Sequence, residues 1–446
     1  MLPGNADRFE LVRATAGDHI GIQQFMSVVF PAGGRDAFLA SLDDPFYEPA
    51  DRIVVRHGSQ IVGHAHVLKR VMYFGGALIP VAGLAGVGVL PEYRGHGIAR
   101  ALLRAAERTM RADGAIAALL TTRVPHFFRP HGWAVCGRHC YSSAATRDVL
   151  AQLSARQVEG CESTLRIRPW RQVELLGLMR LYSQQMAFAY GPFERTEAYW
   201  RWRVSRHEFD QIFVAIDGPE YFDWASLDSP IAGYVVMRGR QIVELVVRPG
   251  AAALPRVDAF TPSSMPGSSA GGLSVAEQLL ARACGEVIER DDRAIQLHAS
   301  PSDPLHRLLL GAGGTMTHRE ANDGDVFMVK LLEPGRFVRM TGEACYRRAI
   351  DAGLPTRVTL GLCVDGQKHR VSIDRRSARL TRGNLGRSYL TLNSAEFTRL
   401  VMGHLDLSQA VEQGRIRSST RLALDLASAL FPRVPCWRPP WDDVVC

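Results

Sequence analysis

The stretch GVGVLPEYRGHGIARALL, residues 86–103, joins a hydrophobic strand to an amphipathic helix through a loop that contains two glycines. The predicted strand ends at Leu90, and the predicted helix spans Ile98–Asp113. Free backbone N–H groups and the positive end of the helix dipole meet at such a junction and favour a pyrophosphate. Gly95 and Gly97 allow the backbone to approach the phosphates closely.

Two other phosphate-binding loops do not match this stretch. A Walker A loop needs Gly-Lys-Ser/Thr, and a dinucleotide-binding loop needs G-x-G-x-x-G with an acidic ribose ligand further along. Neither pattern occurs in residues 86–103. An ordinary strand–turn–helix connection is the alternative. The pyrophosphate interpretation is favoured because Arg94 and Arg100 place positive charge at both ends of the loop.

Hydrophobic periodicity divides the 446 residues into three units, at 1–155, 156–333 and 334–446. Strands and helices alternate in the first unit, and the second unit repeats this order without the glycine loop. The segment FMVKLL, residues 327–332, is predicted to close the second unit, and residues 247–272 are predicted to form a long loop. The third unit combines helices and three strands with a proline-broken tail that should lie extended. The alternation predicts an α/β or α+β fold; the resemblance given below implies the α+β class.

Composition restricts the function classes. Hydrophobic residues make up 46% and charged residues 22%, as in globular proteins with real cores. The net charge of +8 comes from scattered arginines; it suits an anionic cofactor, nucleic acid or no particular partner. The eight cysteines are spread along the chain without a disulfide pattern. Cys136 and Cys140 flank His139, but no second cluster follows, and we predict no metal site.

The amino-terminal residues lack the apolar core of a secretion signal. Residues 73–90 are as apolar as a membrane span, but they contain five glycines and Pro80. We therefore predict two buried strands with a turn at Gly75 and Gly76, no membrane segment and a cytoplasmic location.

The segment PEYRGHGIA, residues 91–99, resembles motif A of the GNAT superfamily of N-acetyltransferases, R/Q-x-x-G-x-G/A. The plan of the whole chain resembles the enhanced intracellular survival (Eis) family. That resemblance implies tandem GNAT folds, with mixed and mostly antiparallel sheets flanked by helices, plus a C-terminal α/β sterol carrier protein-like domain. The catalytic GNAT domain would be residues 1–155, the degenerate second one 156–333, and the third domain 334–446.

The resemblance also implies acetyl-CoA as co-substrate. Its contacts would come from three segments: the strand backbone for the pantetheine, the motif A loop for the pyrophosphate, and the end of the next strand. In this sequence they are Val87, Gly88, Val89, Arg94, Gly95, His96, Gly97, Ile98, Ala99, Arg100, Arg123 and Val124. An N–H group near Val89 would polarise the acetyl carbonyl as an oxyanion hole.

The sequence departs from the resembling family at both catalytic positions. The usual acid is a tyrosine, and this chain has Phe128 there, so His126 or His131 could replace it or simply be loop residues. The second group is a C-terminal carboxylate, which would fall on Cys446. The ending WDDVVC differs from the family's, so Asp442 or Asp443 could serve instead, or the tail could be solvated.

The implied activity is acetyl transfer to a primary amine on a small molecule, possibly a polycation, or on a peptide. A catalytically weak CoA-binding scaffold or a lipid-binding protein are the alternatives. Residues 30–47 lie where the family forms its acceptor pocket. Carboxylates there could attract a cationic amine, and aromatic rings could form the walls; the candidates are Asp36, Asp43, Asp44, Phe30, Phe46 and Tyr47. The resemblance further implies a homo-oligomer, with six subunits in the family, and no nucleic-acid or membrane partner.

Overall fold

The computed structural model describes residues 9–138, 140–157, 165–206, 208–218, 230–248, 273–318, 326–375 and 377–442. The strands are β1 (Glu10–Arg13), β2 (Arg52–His57), β3 (Gln60–Phe74), β4 (Ala77–Val89), β5 (Ala117–Thr122), β6 (Ala134–Arg138), β7 (Cys140–Ala145), β8 (Arg166–Pro169), β9 (Tyr190–Phe193), β10 (Gln211–Ile216), β11 (Ile231–Arg238), β12 (Gln241–Val247), β13 (Ala294–His298), β14 (Thr315–His318), β15 (Val326–Leu331), β16 (Arg357–Val364), β17 (Gln367–Asp374), β18 (Ser377–Arg382), β19 (Tyr389–Leu392) and β20 (Arg417–Ser418).

The helices are α1 (His19–Val29), α2 (Gly34–Leu42), α3 (Ile98–Ala112), α4 (Pro125–Phe128), α5 (Thr146–Arg156), α6 (Leu175–Met186), α7 (Glu197–Ser205), α8 (Val275–Glu289), α9 (Pro304–Gly311), α10 (Pro334–Met340), α11 (Gly342–Asp351), α12 (Ser394–Val401), α13 (Leu407–Glu412) and α14 (Arg421–Leu430).

The first two sheets have the same strand order. The first runs β1-β2-β3-β4-β5-β15-β6, and β9 pairs with β3. The second runs β8-β10-β11-β12-β13-β7-β14. In each sheet four antiparallel strands are followed by one parallel step, from β4 to β5 and from β12 to β13. The second unit therefore repeats the architecture of the first, as its order of elements predicted.

The two sheets exchange one strand each. β15 lies between β5 and β6 of the first sheet, where Val329 pairs with both Leu119 and Ala134. β7 takes the equivalent position in the second sheet, between β13 and β14. The prediction that FMVKLL closes the second unit was wrong, because an apolar strand fits either sheet and the pattern does not specify its partners. The predicted boundary at 155 is thus crossed by sheet hydrogen bonds.

The third sheet runs β18-β17-β16-β19-β20. Its apolar residues share one hydrophobic cluster with the first sheet, in which Phe74 and Ile79 join Phe337 and Leu360. The C-terminal unit therefore packs directly on the first sheet. Its assignment as sterol carrier protein-like stays a prediction.

Helices flank the sheets, so the predicted α+β class is confirmed. Residues 73–90 do form two strands, because β3 ends at Phe74 and β4 begins at Ala77. In the described ranges, no helix has the length and apolar character needed to cross a membrane. The predicted long loop at 247–272 lies almost entirely outside the described residues.

The strand exchange predicts a long-range effect of one substitution. Val329 is fully buried between β5 and β6. Val329→Asp places an unpaired charge in this core, which should cost more than about 4 kcal/mol of stability. We expect the first sheet to melt and CoA binding to be lost. Calorimetry and CoA titration test this. Val329→Ala, which only leaves a cavity, is the control and should retain binding; a stable Val329→Asp protein that binds CoA would contradict the topology.

Candidate active site

β4 and β5 separate at the end that leads to the glycine loop. Their parallel pairing covers only Val81 to Gly83 on β4. β4 continues to Val89, and among the described strands none pairs with that side of it beyond Gly83. A ligand that lies between the two strands has access there to the backbone of β4. Val87 is half-buried there, and Gly88 and Val89 are buried.

The loop at residues 94–97 forms an open cradle at the start of α3. Gly95 and Gly97 have φ of 82° and 75°, which side-chain-bearing residues rarely adopt. A Cβ atom added at either glycine would meet nothing within 4 Å. No side chain caps the helix, so the N–H groups of Ile98 and Ala99 face the loop without a capping partner. Both glycines are exposed, and this arrangement fits a pyrophosphate.

The side chains of Arg94 and His96 form hydrogen bonds that hold the loop in place. Arg94 donates from Nε to the Val89 carbonyl at 3.3 Å, which ties the loop to the end of β4. His96 donates from Nδ1 to the Arg94 carbonyl at 3.0 Å. Arg100 is exposed on the first turn of α3. Arg123 and Val124, after β5, are exposed as well.

A β-bulge lies in β4 just before the predicted CoA segment. His64 pairs with Gly88 and His66 pairs with Ala85, so two residues on β3 span three on β4. Gly86 takes a φ of 56°. Bulges of this kind are frequent beside active sites because they redirect the backbone. Here the bulge turns the Gly86 carbonyl towards the His64 ring, which lies 2.8 Å away at Nδ1.

The hydrogen bonds of His64 fix its tautomer. Arg52 donates from Nη1 to Nε2 at 2.9 Å, and a guanidinium can only donate. Nδ1 therefore carries the proton and donates to Gly86. Burial, together with the nearby Arg52 charge, lowers the pKa of His64 to about 3. The same causes hold the pKa of His66 well below its ordinary value. Both rings are neutral at pH 7.

A cavity of about 50 Å³ adjoins the bulge, and we call it the Gly86 cavity. The first unit contributes Met26, Ala37, Phe38, Ser41, Asp44, Arg52, His64, His66, Leu68, Arg70, Ala85 and Gly86. The second unit contributes Tyr199, Trp202 and Arg203 on α7 and Arg206 just after it, and the tail contributes Asp442. The cavity is thus built from all three parts of the chain, beside the strand predicted to bind the pantetheine.

Arg195 fixes the tail at this cavity. Its guanidinium is fully buried and donates to Asp442 at 2.7 Å and to Glu244 at 2.5 Å. Tyr199 donates to the Asp442 carboxylate at 3.3 Å. Trp441 is fully buried against Trp200, with ring centroids 5.3 Å apart. At Trp441 and Asp442 the tail is therefore a packed part of the structure, in contrast to a solvated tail.

Comparison with known proteins agrees with this geometry. Residues 10–136 match the family described as "Acetyltransferase (GNAT) domain". The chain contains a GNAT acetyltransferase domain. It is similar over 98% of both chains to a GCN5-related N-acetyltransferase from Kribbella flavida, with a TM-score of 0.70 and 19% identity.

Two further solved structures share the fold. A GCN5-related N-acetyltransferase from Anabaena variabilis has a TM-score of 0.70 and 18% identity, over 97% of this chain and 99% of that chain. Eis1 from Mycobacterium abscessus has a TM-score of 0.61 and 14% identity, over 95% and 97%. Comparison with curated proteins gives no significant match. At these identities the likeness shows the fold alone. The predicted likeness to an Eis protein is therefore supported at the level of the fold.

The predicted catalytic residues of the GNAT domain lie apart from one another. His126 is exposed on α4. His131 lines a different cavity of about 430 Å³ between the GNAT domain and the third sheet. Neither histidine is among the residues that line the Gly86 cavity in the part of the chain described. Phe128, at the position of the family's tyrosine, is buried against Trp133. Cys446 and Asp443 lie outside the described residues.

Of the predicted acceptor residues, one lines the Gly86 cavity. It is Asp44, which forms a buried ion pair with Arg70. Phe46 and Tyr47 contact the arginines that line the cavity. The Arg70 guanidinium lies 5.4 Å from the centre of the Phe46 ring, and the Arg52 guanidinium lies 5.4 Å from the centre of the Tyr47 ring. Asp36 and Asp43 are not among the lining residues described. The cavity therefore does not carry the negative charge that the sequence suggested for the acceptor pocket.

Sequence reasoning missed the residues that form the cavity from β3 and α7. A signal existed on β3, because His64 and His66 alternate and must face the same side of the sheet. Arg52 on the neighbouring strand carried no comparable signal. The α7 residues belong to the second unit, more than a hundred positions away. Only the packing of that unit on the GNAT domain brings them to the site.

The first prediction at this site concerns the glycine loop. Gly97→Asp introduces a like charge beside the pyrophosphate position and a side chain at a φ of 75°, and CoA should bind tenfold more weakly or worse, about 1.4 kcal/mol or more. Isothermal titration measures the affinity. The matched control is Gly114→Asp, which has a φ of 83° and equally open surroundings at the other end of α3. Unchanged affinity in Gly97→Asp would exclude the loop as the pyrophosphate site.

The second prediction concerns the buried histidines. The pKa of His64 is 6.5 in an unfolded chain and about 3 in the fold. Between these values the unfolded chain binds a proton that the folded chain does not. The stability that His64 contributes is therefore complete above pH 6.5 and is lost as the pH falls towards 3, by about 2 kcal/mol at pH 5. His66 acts in the same direction.

Denaturant unfolding at pH 7.5 and pH 5 measures this loss. Other groups also titrate in this range, so the comparison is with His64→Gln, whose side chain gains no proton. The variant should lose about 2 kcal/mol less than the wild type on acidification. An equal acid response in both proteins would show that His64 is not held neutral by the fold.

Proposed function

We propose that this protein is an acetyl-CoA-dependent N-acetyltransferase that transfers acetyl to a primary amine. The observation that supports this most directly is the open cradle at Gly95 and Gly97 next to the edge of β4 that no described strand covers beyond Gly83, with the Gly86 cavity beside it. A donor bound along β4 and an acceptor in the cavity would meet at the bulge. Such positioning supplies a large part of the catalysis in two-substrate reactions.

Each segment of the predicted CoA site has a role in this proposal. Backbone N–H groups from Gly95 to Arg100 bind the pyrophosphate, and the β4 backbone at Val87, Gly88 and Val89 pairs with the pantetheine. Arg123 and Val124 complete the site after β5. Acetyl-CoA supplies an activated thioester. The residue roles rest on the resemblance of motif A and on the geometry of the loop and of β4.

The reaction is a direct transfer. The neutral amine nitrogen attacks the thioester carbon, the new C–N bond forms, and the C–S bond breaks so that CoA leaves as the thiolate. The N–H group near Val89 stabilises the charge that develops on the carbonyl oxygen. The nitrogen must also lose one proton, and the thiolate can leave without an acid.

His126 or His131 is proposed in the role of the family's tyrosine acid, and the carboxylate at Cys446 is proposed to take the proton from the nitrogen. Burial and the nearby charges of Arg100 and Lys330 lower the pKa of His131, so its ring is mostly neutral at pH 7 and is a poorer proton donor than an ordinary histidine. Cys446 follows Asp442 by four residues, which limits their separation to roughly 14 Å. His64 is excluded, because both of its ring nitrogens are already engaged.

Thiol release from acetyl-CoA with a panel of primary amines tests the proposal. We expect release that depends on the amine, and acetylated amine by mass spectrometry. Tight CoA binding without release would instead support a CoA-binding scaffold. Co-purified lipid in the 430 Å³ cavity, again without release, would support a lipid-binding protein.

His126→Ala and His131→Ala separate the candidate acids. Loss of a general acid lowers kcat roughly a hundredfold or more and removes one limb of the pH profile. The two variants serve as controls for each other, since only one ring can hold the role. If neither variant changes kcat, the histidines are loop residues, and the thiolate leaves without an acid.

A further inference from the structure

Arg52 is an unpaired cation in the wall of the Gly86 cavity. It is 1% exposed and donates to His64 and to the Ser41 hydroxyl, and its Nε has no hydrogen-bond partner. Its guanidinium lies 4.6 Å from the centre of the Phe38 ring. Within the described ranges no carboxylate lies within the 4 Å of an ion pair. Buried charges normally have such a partner, because desolvation alone is strongly unfavourable.

The charge of Asp51 acts on Arg52 without an ion pair, and the Asp51 carboxylate is itself paired with Lys69 at 2.9 Å. The other charged groups around the cavity do not pair with Arg52. Arg70 pairs with Asp44, while Arg203 and Arg206 share Glu208. Asp442 and Glu244 are held by Arg195. These groups comprise five arginines and four carboxylates among the residues described, and the neutral rings of His64 and His66 add no charge. None of the four carboxylates forms an ion pair with Arg52.

Three more polar atoms of lining residues have no partner among the residues described. They are Nε2 of His66, Nε of Arg70 and Nε of Arg203, all buried. Buried polar atoms in native proteins are nearly always bonded, and exceptions in a cavity mark a place that a ligand or water fills. The cavity, at about 50 Å³, holds a group of a few heavy atoms. An anionic group would accept hydrogen bonds from the guanidinium donors and neutralise Arg52.

We propose that the acceptor amine carries a small anionic group, a carboxylate or a phosphate, that binds in the Gly86 cavity against Arg52 and Arg203. This inference rests on the proposed function and specifies its substrate class. The substrates are then amines with an anionic group near the nitrogen. A polycation is disfavoured, because it would bring further positive charge to an uncompensated arginine.

Three acceptors that share an aminoethyl group test the proposal: β-alanine with a carboxylate, O-phosphoethanolamine with a phosphate, and neutral ethanolamine. We expect one of the two anionic amines to be acetylated with a far lower KM than ethanolamine, and which one it is distinguishes carboxylate from phosphate. Equal or better turnover of ethanolamine, or of a polyamine such as spermidine, would overturn the inference and leave the transferase proposal intact.

Arg52→Gln identifies the residue. The KM for the preferred anionic amine should rise roughly ten- to a hundredfold, the KM for acetyl-CoA should not change, and Arg52→Lys should restore part of the loss. Arg201→Gln is the matched control, since Arg201 is exposed on α7 and pairs with Glu197 outside the cavity. If Arg52→Gln does not fold, Arg203→Gln gives the same test. An unchanged KM in the folded variant would overturn the assignment.

Binding of N-acetyl-β-alanine and of its uncharged amide, measured by titration without acetyl-CoA, separates this inference from the proposed function. Tighter binding of the carboxylate form, lost in Arg52→Gln, supports the anion site even if no acceptor is turned over. Equal binding of both forms, together with amine-dependent thiol release, would mean that the transferase proposal holds and the anion site does not exist.

Discussion

The ion pair of Arg195 with Glu244 and Asp442 is the constraint on which the site depends. Arg195 follows β9, which is paired with the GNAT sheet, whereas Glu244 lies on β12 and Asp442 in the tail. A fully buried guanidinium without such partners is strongly unfavourable. Its burial therefore requires the two sheets and the tail to assemble together. The Gly86 cavity exists only where they meet, because its lining comes from the same three sources.

The two halves of the site differ in how much of them the sequence could predict. The donor half is local: a strand, a glycine loop and a helix are consecutive in residues 86–103, and backbone conformation alone creates the phosphate cradle. Local periodicity and the positive-φ requirement of Gly95 and Gly97 are visible in a single sequence. Residues 73–90 were similarly informative, since glycines at the turn excluded a membrane helix.

The acceptor half could not be predicted in this way. Its charge depends on pairing between distant side chains: Asp44 reads as a free carboxylate in the sequence, but Arg70 neutralises it. α7 reaches the cavity only through the packing of the second unit. The exchange of β7 and β15 could not be predicted from the sequence for a related reason, because both sheets offer equivalent positions for an apolar strand. Long-range pairing of this kind has no local signature in composition or periodicity.

The position of β15 has a consequence for biosynthesis. When the ribosome has completed β6, the edges of β5 and β6 still lack the strand that belongs between them, and that strand ends only at Leu331. At translation rates of about 5–20 residues per second, those edges remain without their partner strand for roughly ten to forty seconds. Unpaired strand edges template aggregation. Until most of the second unit has emerged, the nascent first sheet therefore exposes two strand edges that can pair with other chains.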